Sequence, residues 1–253
     1  MIHFVRCLGA ATAVLGSLTT ARALAAQGGP PLETDDPGTP GNGRFELNLA
    51  LEAEREPDGT TYDAPRVDLN YGVGPRIQLK LEVPWRVAPA PAQPSRTGFG
   101  NVILGVKWRF AEGASGRAAI SVYPQVTLAA SRTAVAKGLA DSGSTLLLPV
   151  EIAWRMGPLD LDAELGYRRA GGASGLAYGL VFAHQPLRLL ELLAECNGTG
   201  RGALTDAGLL CGVGARSELG PPISVLGALE AGVAGSPDTR PDRRIYTGLQ
   251  LRW

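Results

Sequence analysis

The sequence predicts an all-β chain folded as a transmembrane antiparallel up-and-down β-barrel of the outer-membrane type, with about twelve strands. Three observations carry this expectation. Apolar and polar residues alternate with period two along most of residues 43–253. No stretch after the N-terminal leader is apolar for the ~20 residues that a spanning helix needs. The chain also ends in mid-strand on Trp253, with Ile245, Thr247, Leu249 and Leu251 on one face and Tyr246, Gly248, Gln250 and Arg252 on the other. A closed barrel needs such a terminal strand, because its last strand must pair with its first.

Met1 to about Ala25 reads as a secretory signal peptide. Arg6 supplies the charged region, Cys7 to Leu18 the apolar region, and Ala23-Leu24-Ala25 the small residues for cleavage. Loss of Arg6 and Arg22 leaves 22 basic against 24 acidic residues, near −2. That balance argues against a nucleic-acid partner. Residues 26–42 are rich in Pro and Gly. They are expected either to fold into the periplasmic mouth or to form a disordered tail.

The strands follow in order. Phe45, Leu47, Leu49, Leu51 and Ala53 alternate with polar partners, as do Val67, Leu69 and Tyr71, and then Ile77 to Trp85. Val102 to Phe110 and Ile120 to Leu128 continue the pattern, the latter through Pro124. Leu146 to Trp154 and Leu159 to Tyr167 repeat it. Residues 174–184, 187–196, 205–216, 222–233 and 244–253 complete twelve strands, with the first three of these five the least periodic, so ten or fourteen remain open. Links after even-numbered strands are short: Val73-Gly74-Pro75, Ala111 to Arg117, Gly157-Pro158, Gln185-Pro186 and Leu219-Gly220-Pro221. Links after odd-numbered strands read as mostly longer, including Arg55 to Thr61, Val87 to Gly98, Ala130 to Gly143 and Gly235 to Arg243. Short turns at one end and longer loops at the other suit a barrel with both termini in the periplasm. Trp85, Trp108, Trp154, Tyr167 and Trp253 sit near strand ends, where interfacial girdles form. Ordinary packing in a soluble β-sandwich is the other reading of these aromatics.

The leader removes one cysteine and leaves Cys196 and Cys211. The assigned hairpin sets Cys196 roughly opposite Ala207. The two cysteines then read as small apolar residues, although an oxidising periplasm permits a bridge.

Thr34-Asp35-Asp36-Pro37-Gly38-Thr39-Pro40-Gly41, followed by Gly43-Arg44-Phe45-Glu46-Leu47, resembles the N-terminal motif of the outer-membrane "MetA-pathway of phenol degradation" family. Gly98 to Phe110, Tyr123-Pro124-Gln125-Val126 and Leu190 to Glu195 are similar to later family stretches, so the resemblance runs from about Pro30 to Trp253. It implies an outer-membrane barrel that moves small solutes, aromatic ones being suggested by the family's name. It supplies no binding residues. The Ala/Pro-rich third-to-fourth loop and the two cysteines depart from the family pattern.

Enzyme chemistry finds little support. His184 stands at the end of the eighth strand, and Ser174, the nearest candidate nucleophile along that strand, is at its other end. Asp160-Leu161-Asp162-Ala163-Glu164 has strand spacing and lacks the mid-loop glycine of a calcium loop. No cofactor, metal site or catalytic residue is expected.

If the apolar faces meet lipid, the lumen is lined by Glu46, Glu52, Asp68, Lys80, Glu82, Arg86, Lys107, Arg109, Glu151, Arg155, Asp160, Asp162, Glu164, Arg168, Glu191, Glu195 and Arg252. These charges line an aqueous or gated path, or they pair across the barrel and fill it. The expected function is a channel for small solutes in the bacterial outer membrane. A lipid-modifying lipase or deacylase and a closed structural barrel are the alternatives. The expected partners are outer-membrane lipid and the barrel-assembly machinery, the latter through the strand ending at Trp253.

Overall fold

The computed structural model describes residues 29–90, 94–114, 116–200, 208–235 and 240–253. The expected signal peptide, 1–25, lies outside these residues. β1 (Phe45–Glu56), β2 (Gly59–Val73) and β3 (Ile77–Ala88) form a meander, and a short β4 (Arg96–Phe99) lies on the far half of β3. β5 (Ile103–Glu112) pairs with the first half of β3. β6 (Ala118–Val122) and β7 (Gln125–Thr127) together make one stave between β5 and β8 (Thr145–Met156). β9 (Leu159–Ala170), β10 (Ala173–Leu187), β11 (Leu190–Gly200), β12 (Gly208–Gly220), β13 (Ile223–Ala234) and β14 (Arg243–Arg252) continue the antiparallel order. β14 returns to pair with β1 from Glu46↔Arg252 to Arg55↔Arg243. With β6 and β7 counted as one stave and β4 left out, twelve staves close the barrel.

Closure is sealed on the seam by aromatics. The Phe45 ring stacks on Trp253 at 5.4 Å and lies 4.6 Å from Tyr71, while Phe45 and Trp253 exchange backbone hydrogen bonds of 2.9 and 3.1 Å. We call this the terminal end and the opposite one the loop end.

Alternation places the two faces in opposite solvents. Leu49, Leu79, Leu104, Ile152, Leu165, Phe182, Leu229 and Leu249 are exposed on the outer wall, whereas Asn48, Lys107, Glu151, Asp162 and Gln250 are buried inside. An apolar outer wall around a polar interior is the arrangement a membrane-spanning barrel requires. Trp85, Trp108, Trp154, Tyr167 and Trp253 are all exposed, near strand ends. Among the described residues no helix is long and apolar enough to cross a membrane. The only described helix is α1 (Arg132–Ala136), a single turn in the β7–β8 loop, capped by the Ser131 hydroxyl accepting from the Ala134 N–H at 3.2 Å.

Four local expectations are corrected. The fifth predicted strand breaks at Tyr123-Pro124, because proline brings no N–H to the ladder. The turn expected at Gln185-Pro186 moves to Arg188-Leu189, and an irregularity between His184 and Leu187 absorbs the proline. The first hairpin closes through Pro57-Asp58 alone, since β1 and β2 run on through residues expected to form a loop. Finally, Cys196 pairs in register with Cys211, at a Cα–Cα distance of 4.1 Å, and the two form a disulfide. β11 continues to Gly200 instead of ending at Cys196, so the partner of Cys196 moves four residues along, from Ala207 to Cys211. The bridge joins β11 to β12 on the outer wall, where Cys196 is exposed.

Candidate functional site in the barrel lumen

Residues 29–42 run inside the barrel, where Leu32, Thr34 and Asp36 are buried. At the terminal end the Gly43 N–H donates to the Gly72 carbonyl at 2.9 Å and the Thr39 hydroxyl to the Pro75 carbonyl at 3.2 Å. Deeper in, the segment folds back on itself, with the Gly29 N–H donating to the Thr34 carbonyl at 2.8 Å.

The wall makes room for it. A Cβ on Gly72 would fall 1.8 Å from the Gly41 carbonyl oxygen, and one on Gly179 would fall 1.8 Å from Thr34 Oγ1. The inward residues of β10 and β11 beside this point, Val181, Ala183 and Leu193, are small or apolar and pack on Leu32.

Charged contacts hold the segment on several sides. Lys107 Nζ lies 2.8 Å from Asp35 Oδ1 and 3.5 Å from Glu151, also donates to the Asp36 carbonyl, and sits 4.5 Å from the centre of the Tyr123 ring. Glu33 pairs with Arg244 at 2.8 Å and Arg66 at 3.7 Å. The Arg244 guanidinium holds the Glu33 carboxyl below the usual carboxylate range. Glu195 accepts from the Thr34 N–H at 2.6 Å and the Glu33 N–H at 3.2 Å. Arg216 donates to the Pro30 carbonyl at 2.9 Å while pairing with Glu191 at 2.8 Å. Glu164 accepts from the Asp35 N–H at 3.4 Å.

The remaining predicted lumen residues also point inward, in smaller networks. Arg66 bridges Glu82 at 2.8 Å and Glu52, and Lys80 reaches Glu82 at 2.9 Å and Asp68 at 3.8 Å. Arg86 clasps Asp63 with two bonds of 2.8 and 2.7 Å. Arg155 meets Asp160 at 3.0 Å, Arg252 meets Glu46 at 2.7 Å, and Arg109 donates to the Pro75 carbonyl at 2.8 Å. Asp162 is buried, and its Oδ2 has no hydrogen-bond partner among the described residues. Arg168 faces a cavity at the loop end.

Several lumen residues had escaped sequence reasoning. Asp63 and Arg66 both point inward although three positions apart, because an irregularity at Ala64-Pro65 resets the alternation. Glu33, Asp35 and Asp36 belong to a segment with no strand period. Arg216, Glu230 and Arg244 lie on strands that had been located, and extending the alternation along them would have found all three.

The segment divides the lumen. A cavity of ≈ 280 Å³ opens on its loop side, lined by Arg66, Lys80, Gln125, Thr145, Leu147 and Arg168 among others. On its terminal side lies a cavity of ≈ 20 Å³, among residues that include Glu46, Asn70 and Gln78. That is room for about one water. In this conformation the barrel is a vestibule with a floor.

The described residues bring no hydrolytic constellation together. His184 Nδ1 contacts the Pro158 carbonyl at 2.9 Å, whereas Ser174 pairs with the Tyr167 hydroxyl at 2.7 Å, ten residues away along β10. Ten strand residues span ~33 Å. No group of three or more metal-ligating side chains gathers among the described residues.

No family model matches the chain, and no curated protein matches it. Solved structures do. The chain is similar to the COG4313 outer membrane channel from Pseudomonas putida F1, with TM-score 0.68, 12% identity, and coverage of 88% of this chain and 100% of that one. It is similar to the NanC porin (TM-score 0.59, 7% identity, 82% of this chain and 98% of that one). The KdgM porin in complex with disordered oligogalacturonate gives TM-score 0.56 at 10% identity, over 82% of this chain and 98% of that one. At these identities the likeness is one of fold. These neighbours are channels and porins, and the fold is that of an outer-membrane barrel.

Proposed function

We propose that this chain is an outer-membrane channel for small solutes, closed by its own N-terminal segment and opened when that segment withdraws. The observation that carries the reading is a twelve-stave barrel whose lumen holds a vestibule of ≈ 280 Å³ above a plug fastened by polar contacts. Water and salt compete for the more exposed of these contacts, the pairs of Glu33 with Arg244 and Arg66. The fold of the neighbouring channels supports the same reading. The Thr34–Gly41 motif that resembles the phenol-degradation barrels lies in the stretch that fills the lumen. Solutes of aromatic or hydrophobic kind follow from that resemblance alone. Bacterial outer-membrane lipid is the proposed surrounding. The strand ending at Trp253 is the proposed handle for the assembly machinery.

The test is single-channel conductance in planar bilayers, comparing the mature barrel with a variant lacking residues 29–40. The intact protein should be closed most of the time and the deletion steadily open. A closed structural barrel is the second reading, favoured by the ion pairs that cross-link the lumen walls, and it requires the deletion variant to stay closed.

A further inference from the structure

Among the lumenal cations described above, Arg168 differs from the rest. The others each have a carboxylate partner, whereas Arg168 has no hydrogen bond or ion pair with any described residue. It is held in a continuous row across four neighbouring staves and the β3 wall: Arg168 pairs with Leu147, Leu147 with Gln125, Gln125 with Gly105, and Gly105 with Lys80. Residues paired across strands share a face. Four residues of this row, Arg168, Leu147, Gln125 and Lys80, line the vestibule, with the Arg168 guanidinium at one end.

The same cavity has an apolar part. Leu147 and Ile103 line it from the wall and Leu32 from the plug, alongside the polar Gln125 and Thr145. Its ≈ 280 Å³ lies near the ~300 Å³ lower end of small-molecule pockets. Of the acids on its lining, Glu33, Asp35 and Glu82 are already ion-paired. A guanidinium with no partner among the described residues, beside an apolar patch, selects a planar carboxylate attached to an apolar body, because its fork bonds both oxygens.

We propose that the vestibule is a binding subsite for small organic carboxylates with an apolar body, anchored by Arg168 and floored by Leu32 of the plug. The inference rests on the channel reading and narrows its solute. Glu164 and Asp141 also line the cavity, so the carboxylate can belong to a simple acid or to a zwitterion.

The experiment titrates the full mature protein in detergent with benzoate, with its neutral analogue benzyl alcohol, and with phenylalanine. Benzoate should bind about 10- to 100-fold more tightly than benzyl alcohol, as one charge-assisted contact allows. Arg168→Gln should bring benzoate to the level of benzyl alcohol, and Leu147→Trp, which fills the cavity, should remove both. If Arg168→Gln fails to assemble, the wild-type ratio of benzoate to benzyl alcohol carries the test. Phenylalanine binding above benzoate identifies zwitterions and below it simple acids, and in both cases Arg168 stays the anchor. Equal affinity for benzoate and benzyl alcohol, or unchanged benzoate binding in Arg168→Gln, overturns the proposal. A deletion variant that conducts while intact protein ignores benzoate sinks the subsite and keeps the channel. Benzoate binding to a barrel that never conducts keeps the subsite and sinks the channel.

Discussion

Removing charge from the plug alone, through Glu33→Gln with Asp35→Asn, tests the gate without touching the barrel wall. Asp35 bonds Lys107 at 2.8 Å, and Lys107 is only 1% exposed. A charge-assisted bond at a buried partner contributes roughly 1.5–3 kcal/mol. Lys107 keeps Glu151 at 3.5 Å and the Asp36 carbonyl, so the loss belongs near the lower figure. The Glu33 carboxylate is 40% exposed, and solvent weakens its pairs with Arg244 and Arg66 to ~1 kcal/mol at most. Neither acid is ion-paired to the other's cation, so the losses should nearly add, to about 2–2.5 kcal/mol. At 1.4 kcal/mol per factor of ten, the closed-to-open ratio falls by about 30- to 60-fold. The bonds from the plug backbone to Glu195 and Arg216 survive, so the variant should flicker instead of standing open. Single-channel records at fixed salt provide the measurement. An open probability equal to wild type, with the deletion variant fully open, would refute the claim that these ion pairs hold the plug.

Gly179→Val should open the channel with no change of charge, since its Cβ would lie 1.8 Å from Thr34 Oγ1, and a conductance unchanged from wild type would place the plug elsewhere. Leu79→Arg should block assembly, read as loss of the heat-modifiable gel band, because an arginine at mid-bilayer on the lipid face costs about 2–4 kcal/mol. Its neighbour Gln78→Ala gives up two lumenal hydrogen bonds of 2.8 and 3.2 Å, about 0.5–1.5 kcal/mol each, and should still assemble; equal tolerance at both sites would mean that the faces are inverted. Cys196→Ser with Cys211→Ser should leave the barrel closed but lower its unfolding free energy by ~3 kcal/mol, the value for a loop of about this length, and no change in denaturant midpoint would show that the bridge adds nothing.

Much of the fold was legible because a barrel in a membrane writes its pattern into every strand. Each residue from Ile77 to Trp85 must face either hydrocarbon or lumen, and the period of two records the choice. The same parity puts the expected lumenal charges from Glu46 to Arg252 on the face opposite the apolar one. It failed at Asp63 and Arg66, where the irregularity at Ala64-Pro65 shifts the phase by one residue, and a phase shift leaves no mark in composition. It also failed for the register of β11 on β12, because pairing depends on where the connection turns, and Asn197 to Gly200 look as much like loop as strand.

By itself, then, the sequence determined that the chain forms a barrel of alternating strands with a polar interior and closes through its last strand, because those properties are local and repeated. Only the tertiary structure decided what the interior holds. The weak period of β10 and its small inward residues are explained by Thr34 and Leu32 lying against them, and residues 29–42 carry no period because they are neither strand nor lipid-facing. Their partners, Lys107, Glu195, Arg216 and Arg244, lie 71 to more than 200 positions away, beyond anything spacing can reveal. Whether a charged lumen is an open path or a closed one depends on such contacts, and only a folded chain brings them together.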